Sequence, residues 1–265
     1  MKKIIVLYAI SATCLSIATQ KILMISIPKC GTHLLINTLD FIVDSHYRNW
    51  PKDQFALNQI ELDNMSGPLF AGHILYNESN RQLIRDNNFV IFFIIRDPRD
   101  QCISMMYWVR KHPLSKELVK DLDDDTLLTD LIQNHLSVYP EAVKSKHPEL
   151  CNGGNINDFY NLFLPWMQCK NVYTIRFESL VGKRGLGSHQ LQMETLEDIL
   201  NHLHIYKNPT YIHSMGRYLF GHSMTFRKGH IGEWKTHFKE HHKVLFKEVA
   251  GQLLIDLAYE TNLDW

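Results

Sequence analysis

The sequence predicts an α/β protein of three layers, with helices on both faces of a central parallel sheet. Two apolar runs, 22–27 and 89–95, lack the alternation of a half-solvated strand, so they read as mid-sheet strands buried on both faces. Each leads directly into a segment with helical spacing of apolar residues, the order expected of parallel strands joined by crossover helices. Each also ends in charge, Lys29 after the first strand and Arg96 after the second, at the sheet edge where ligands of open α/β sheets bind. The chain has 265 residues, 45% of them hydrophobic, and no Pro/Gly/Ser-rich linker interrupts it. Residues 21–265 therefore read as a single domain with one large core.

The elements follow in order. Met1-Lys2-Lys3, an apolar run over 4–17 and Ala18 have the charge and polarity of a secretory signal, so 1–20 reads as a signal-like or anchoring hydrophobic segment too short to span a bilayer comfortably. After strand 22–27 a helix begins near Gly31, with Leu34, Leu35, Thr38, Leu39 and Ile42 on one face. Its unpaired first N–H groups point back at Pro28-Lys29-Cys30-Gly31-Thr32. Gly31 permits close backbone approach, Thr32 adds a hydroxyl and Lys29 a charge where the helix dipole is already positive, which together make an anion cradle. Read alone, the loop also suits a plain strand-to-helix turn carrying a surface lysine. Its lysine precedes the glycine, unlike the Gly-x-x-x-x-Gly-Lys-[Ser/Thr] loop of nucleoside triphosphatases.

A short apolar strand over 69–73 ends at His73. Strand 89–95 ends in Arg96-Asp97-Pro98-Arg99-Asp100 ahead of a helix over 101–110. Arg96 can fork onto a phosphate, and Ser104 lies suitably placed on the helix to add a hydroxyl. Asp97, Arg99 and Asp100 are expected to pair partly with one another at the helix start. The acidic cluster 121–125 reads as the cap of a helix over 127–136. The stretch 108–166, with its aromatics and prolines, reads as helices and loops over the ligand edge of the sheet. A last strand is expected over 172–177, then a basic, glycine-bearing loop at 226–235. The closing helix, 244–259, carries Val249, Leu253, Leu254 and Leu257 on one stripe.

Lys plus Arg and Asp plus Glu number 28 each, a balance that gives no support for a nucleic-acid partner. Five cysteines form no spaced disulfide framework. His202, His204, His237, His241 and His242 lack a complete ligand set and read as solvent-facing helix histidines, so no metal is expected.

With its three charged segments in this order, the chain resembles the sulfotransferases that use 3′-phosphoadenosine 5′-phosphosulfate (PAPS), particularly the cytosolic aryl and alcohol type. Pro28-Lys29-Cys30-Gly31-Thr32 resembles that family's 5′-phosphosulfate loop, and Arg96-Asp97-Pro98-Arg99-Asp100 through Ser104 its 3′-phosphate motif. Arg227-Lys228-Gly229-His230-Ile231-Gly232-Glu233-Trp234 resembles its C-terminal Arg-Lys-Gly-x-x-Gly-Asp-Trp signature. The resemblance spans 22–235 and implies a P-loop-containing nucleotide hydrolase-like fold, with PAPS as co-substrate and no metal. It implies a donor site from Lys29, Cys30, Gly31, Thr32, His33, Leu34, Arg96, Ser104, Arg227, Lys228 and Gly229. It also casts His73 as base, Lys29 as stabiliser of the leaving phosphate oxygen, and Ser104 as the residue holding Lys29 back until acceptor arrives. A purely structural role for His73 stays open at this stage.

The pattern departs in places. Thr32-His33-Leu34 stands where many members have Thr-Thr-Trp, the tryptophan stacking on adenine, so His33 or Phe177 is the candidate replacement. Ala71-Gly72-His73-Ile74-Leu75 lacks the accessory lysine of Lys-Thr-His-Leu-Pro, which leaves more to Lys29. The acceptor class stays broad, from small-molecule hydroxyls and amines to a glycan or a peptide. Donor supply points to the cytoplasm, whereas the N-terminal segment points to secretion or membrane anchoring. The competing readings are a nucleotide or small-molecule kinase of related fold and a catalytically inactive binding module.

Overall fold

The computed structural model describes residues 20–44, 49–150, 154–221 and 226–265. The signal- or anchor-like segment 1–20 therefore lies almost wholly outside the described residues. In chain order the main elements are β1 (Ile22–Ser26), α1 (Thr32–Val43), β2 (Leu69–Gly72), α2 (Glu78–Asn87), β3 (Val90–Ile95) and α3 (Pro98–Val109). They continue with α4 (Asp124–Gln133), α5 (Ile156–Asn161), β4 (Val172–Arg176), α6 (His189–His202), α7 (Pro209–Tyr218) and α8 (Glu240–Asp256). No helix among the described residues is long and apolar enough to cross a membrane.

The described chain divides into two compact units. The first, residues 20–26, Gly31–Ile95 and Trp166–Gly229, holds the sheet. Its four strands run parallel in the order β2-β1-β3-β4, so the sheet is α/β with helices beside it, as the sequence predicts. β1 sits mid-sheet, Ile22 facing Leu69 on one side and Val90 on the other, and all five of its residues are buried. β3 is buried from Ile91 to Ile95. Burial on both faces explains why these two runs carry apolar residues at every position.

The second unit, Ile27–Cys30, Arg96–Pro165 and His230–Trp265, is built of helices and turns. α3 starts three residues before the predicted helix because Asp97 accepts the Arg99 N–H at 2.9 Å and Pro98 fills the first turn, where a missing N–H costs nothing. α4 likewise starts earlier than predicted, at Asp124: Asp123 from the acidic cluster caps it by accepting the Thr126 N–H at 2.7 Å. α8 runs Glu240–Asp256 rather than 244–259, and Ala250 (φ −144°, ψ 15°) breaks its helical geometry.

Candidate active site

In the sheet-bearing unit the chain turns into α1 at Gly31, whose φ of 103° lies in the left-handed region. A Cβ there would stand 2.6 Å from Phe177 Cδ2 and 3.2 Å from Ile94 Cδ1, so only glycine fits beneath the aromatic ring. No side chain caps α1, which leaves its first-turn N–H groups, with their positive dipole, directed at the loop. The side chains of His33 and Leu34 are half-buried in that first turn. Phe177 does not end the last strand, as predicted. β4 stops at Arg176, and Phe177 opens a short helix with its buried ring set against Gly31.

His73 follows β2 directly, at the C-terminal edge of the sheet. Its Nδ1 lies 2.9 Å from the Ser26 carbonyl oxygen and 3.0 Å from Ser26 Oγ. A carbonyl can only accept, so Nδ1 carries the proton and Nε2 keeps the lone pair. Ser26 Oγ is also 2.9 Å from Thr32 Oγ1, which links the imidazole through one hydroxyl to the start of α1. Trp50 meets the His73 ring edge-on at 5.5 Å. In the same unit Gly229 (φ 63°) follows Arg227 and Lys228, and a Cβ on it would come 2.9 Å from Phe226 Cε2.

The second unit holds the loop 27–30 and the arginine motif. Gln101 Nε2 donates to the Pro28 carbonyl at 3.0 Å and lies 3.3 Å from His135 Nε2. His135 Nδ1 donates to the Leu131 carbonyl at 2.8 Å, and burial lowers its pKa to about 4. A neutral His135 thus accepts at Nε2 and orients the amide that grips the loop. Cys30 N–H closes a turn onto the Ile27 carbonyl at 3.1 Å, and Cys30 Sγ lies 3.3 Å from the Tyr160 hydroxyl. That hydroxyl donates to the Arg96 carbonyl at 2.9 Å, so one buried phenol joins the lysine loop to the arginine motif.

Lys29 sits at φ 70°, a left-handed conformation rare outside glycine. Its pKa is lowered to about 8, first by burial and then by the positive charge of Arg96. Arg96 is itself buried and donates to the His230 carbonyl at 2.9 Å. Asp97 and Arg99 pair as expected, at 2.8 Å, and Arg99 also reaches Glu260 at 2.6 Å. Asp100 differs from expectation. It turns away from that pair and accepts the N–H groups of Gly232 at 2.7 Å and Trp234 at 2.9 Å. The Arg99 guanidinium lies 4.0 Å from the Trp234 ring and 4.4 Å from Trp265. Gly232 and Trp234 of the C-terminal signature are therefore structural anchors.

Ser104 is half-buried within α3, and no hydrogen bond joins it to Lys29 among the described residues. His242 departs from the solvent-facing reading. It is buried, its Nδ1 accepts the Lys239 N–H at 3.1 Å, and its Nε2 lies 3.2 Å from the Asp125 carbonyl. Asp125, His241 and His242 place their ligand atoms within 4.8 Å of one another. The capping bond to Nδ1, however, puts the His242 proton on Nε2, which therefore faces Asp125 as a donor rather than as a metal ligand. Ser26, Tyr160, Gln101 and Asp100 support the site but were not singled out for that role from sequence, because each acts through contacts distant along the chain.

Comparison with known proteins adds three findings. A model of the sulfotransferase domain matches residues 19–183, more than half of the chain. No match is found among curated proteins. Among solved structures, the chain is similar to a mouse sulfotransferase, SULT7A1, complexed with PAP, with 20% identity over 91% of this chain and 89% of that one and a TM-score of 0.64. It is also similar to a retinol dehydratase in complex with androsterone and the inactive cofactor PAP, with 12% identity, 90% and 81% coverage and a TM-score of 0.62. At these identities the likeness is one of fold.

Proposed function

The chain belongs to the sulfotransferase family, and from that premise we propose that it moves a sulfuryl group from PAPS to the hydroxyl or amine of a small-molecule acceptor. The observation that carries the reading is the Thr32–Ser26–His73 chain, which ties the anion-binding start of α1 to an imidazole whose Nε2 holds the lone pair. His73 Nε2 takes the proton from the acceptor as its oxygen or nitrogen bonds to sulfur. The bond between sulfur and the donor's bridging oxygen breaks, and Lys29 stabilises the charge that collects on the departing phosphate. Such a loose transfer is governed by positioning and fixed positive charge.

The remaining residues bind the donor. The first-turn N–H groups of α1, with Gly31, Thr32, His33 and Leu34, meet the 5′-phosphate. The family resemblance assigns Arg96, Ser104, Arg227, Lys228 and Gly229 to the 3′-phosphate, and Phe177, whose ring packs against Gly31, to the adenosine. These cations and N–H donors suit a doubly phosphorylated anion, and no step calls on a metal. Titration of the protein with 3′-phosphoadenosine 5′-phosphate, without magnesium, tests the reading. Micromolar affinity, about −8 kcal/mol, weakened tenfold or more by Arg227→Ala, is expected. Absence of binding by a folded sample would refute it.

A further inference from the structure

We propose that Trp108 is a positioning residue for Lys29, its indole face holding the ammonium group and supporting its charge. The role assigned to Lys29 rests on the reading above; the hold itself rests on contacts within the second unit. Lys29 Nζ lies 5.6 Å from the centroid of the Trp108 ring, within the range where an aromatic quadrupole attracts a cation. That attraction is stronger where water is scarce, and the ammonium is mostly buried close to a like charge, Arg96. Burial and Arg96 both disfavour the protonated amine; the indole face opposes them.

Both partners are fixed before they meet. The backbone at Lys29 is locked in the left-handed region by the Gln101 bond to Pro28 and the Cys30 turn onto Ile27. The same contacts over-determine a conformation that is strained for any residue but glycine. Trp108 lies near the end of α3, and His112 stacks on it with centroids 4.2 Å apart and planes at 27°. His112 in turn donates its N–H to the Trp108 carbonyl at 2.9 Å, and Ser115 Oγ lies 3.3 Å from its Nδ1. The titratable groups facing Lys29 are Arg96, Cys30 and His112, and burial and then the Lys29 charge lower the His112 pKa. Ser104, the residue that family resemblance casts as the keeper of Lys29, sits one turn before Trp108 on the same helix. The holding function thus moves along α3 from a hydroxyl to an aromatic face.

The test reads Lys29 directly. Trace acylation of the full-length protein, with the Lys29 peptide quantified by mass spectrometry across neutral to alkaline pH, gives the titration midpoint of its amine. Methionine at position 108 keeps a flexible apolar side chain and removes the π face. Trp108→Met is therefore expected to lower the midpoint by about half a pH unit or more, and Trp108→Phe to lower it less. In PAPS-dependent transfer the methionine variant should lose about tenfold in kcat, with KM for PAPS within threefold, and the phenylalanine variant should recover most of the loss. Coincident midpoints in wild type and Trp108→Met overturn the proposal. Should the methionine variant not fold, Trp108→Leu, which likewise removes the ring, carries the test, and an unshifted midpoint there overturns the proposal equally. A shifted midpoint in a protein that transfers no sulfuryl group upholds the hold and sinks the assigned reaction instead.

Discussion

At the scale of single residues, the proposed reaction depends on two protonation states. The Ser26 carbonyl fixes the His73 tautomer, because an acceptor beside Nδ1 forces the proton onto that nitrogen. Asparagine at this position keeps a donor for the carbonyl but offers no base. His73→Asn should therefore cut kcat by about 10²- to 10⁴-fold while 3′-phosphoadenosine 5′-phosphate affinity, followed by titration calorimetry, changes little. In the proposed reaction Lys29 works in the opposite protonation sense, since only an ammonium form can stabilise a departing phosphate. With its pKa lowered to about 8, the charged form is lost as pH rises through that value. Activity measured against pH should fall above about 8 in the wild type. In Lys29→Arg the alkaline decline should vanish, since a guanidinium stays protonated, although the maximum is lower.

At the scale of elements, the strand-to-helix turns matter more than the regular segments they join. Gly31 combines a φ of 103° with an aromatic ring where a Cβ would stand. Gly31→Ala should cost about 1–3 kcal/mol in urea unfolding and weaken 3′-phosphoadenosine 5′-phosphate binding, since both strain and overpacking fall on the turn proposed to bind the 5′-phosphate. The turn after β3 shows how one motif divides its labour. Arg96 donates to the His230 carbonyl and lies 3.9 Å from Asp100, Arg99 pairs with Asp97 and Glu260, and Asp100 anchors the backbone of Gly232 and Trp234. The sequence showed that this motif starts a helix and that its charges pair in part. It did not show that Asp100 bonds a loop more than a hundred residues away, because no local pattern encodes a partner at that distance. Two helices start about three residues before their apolar periodicity for a related reason: caps at Asp97 and Asp123 extend them.

For the whole molecule, net charge is zero, so binding of an anionic donor depends on where the cations sit rather than on a global field. In the proposed site, fixed cations and helix N–H groups supply the positive charge, so a chelator should leave transfer rates unchanged. Saturating 3′-phosphoadenosine 5′-phosphate, about 100 times its Kd, should meanwhile stabilise the protein by about 2.7 kcal/mol in thermal unfolding. Loss of activity with chelator would contradict that assignment. The sequence by itself determined the parallel sheet, the family and the chemical types at three sheet-edge or loop segments. Each of those depends on short-range order: uninterrupted apolar runs, and glycine, lysine and arginine placed directly after them. Only the tertiary structure decided which atoms serve. It chose the His73 tautomer through Ser26, joined Cys30 to Arg96 through Tyr160, and set Lys29 over Trp108. Such selections require side chains remote along the chain to meet within hydrogen-bonding or ring-stacking range, and a linear pattern carries no distances of that kind.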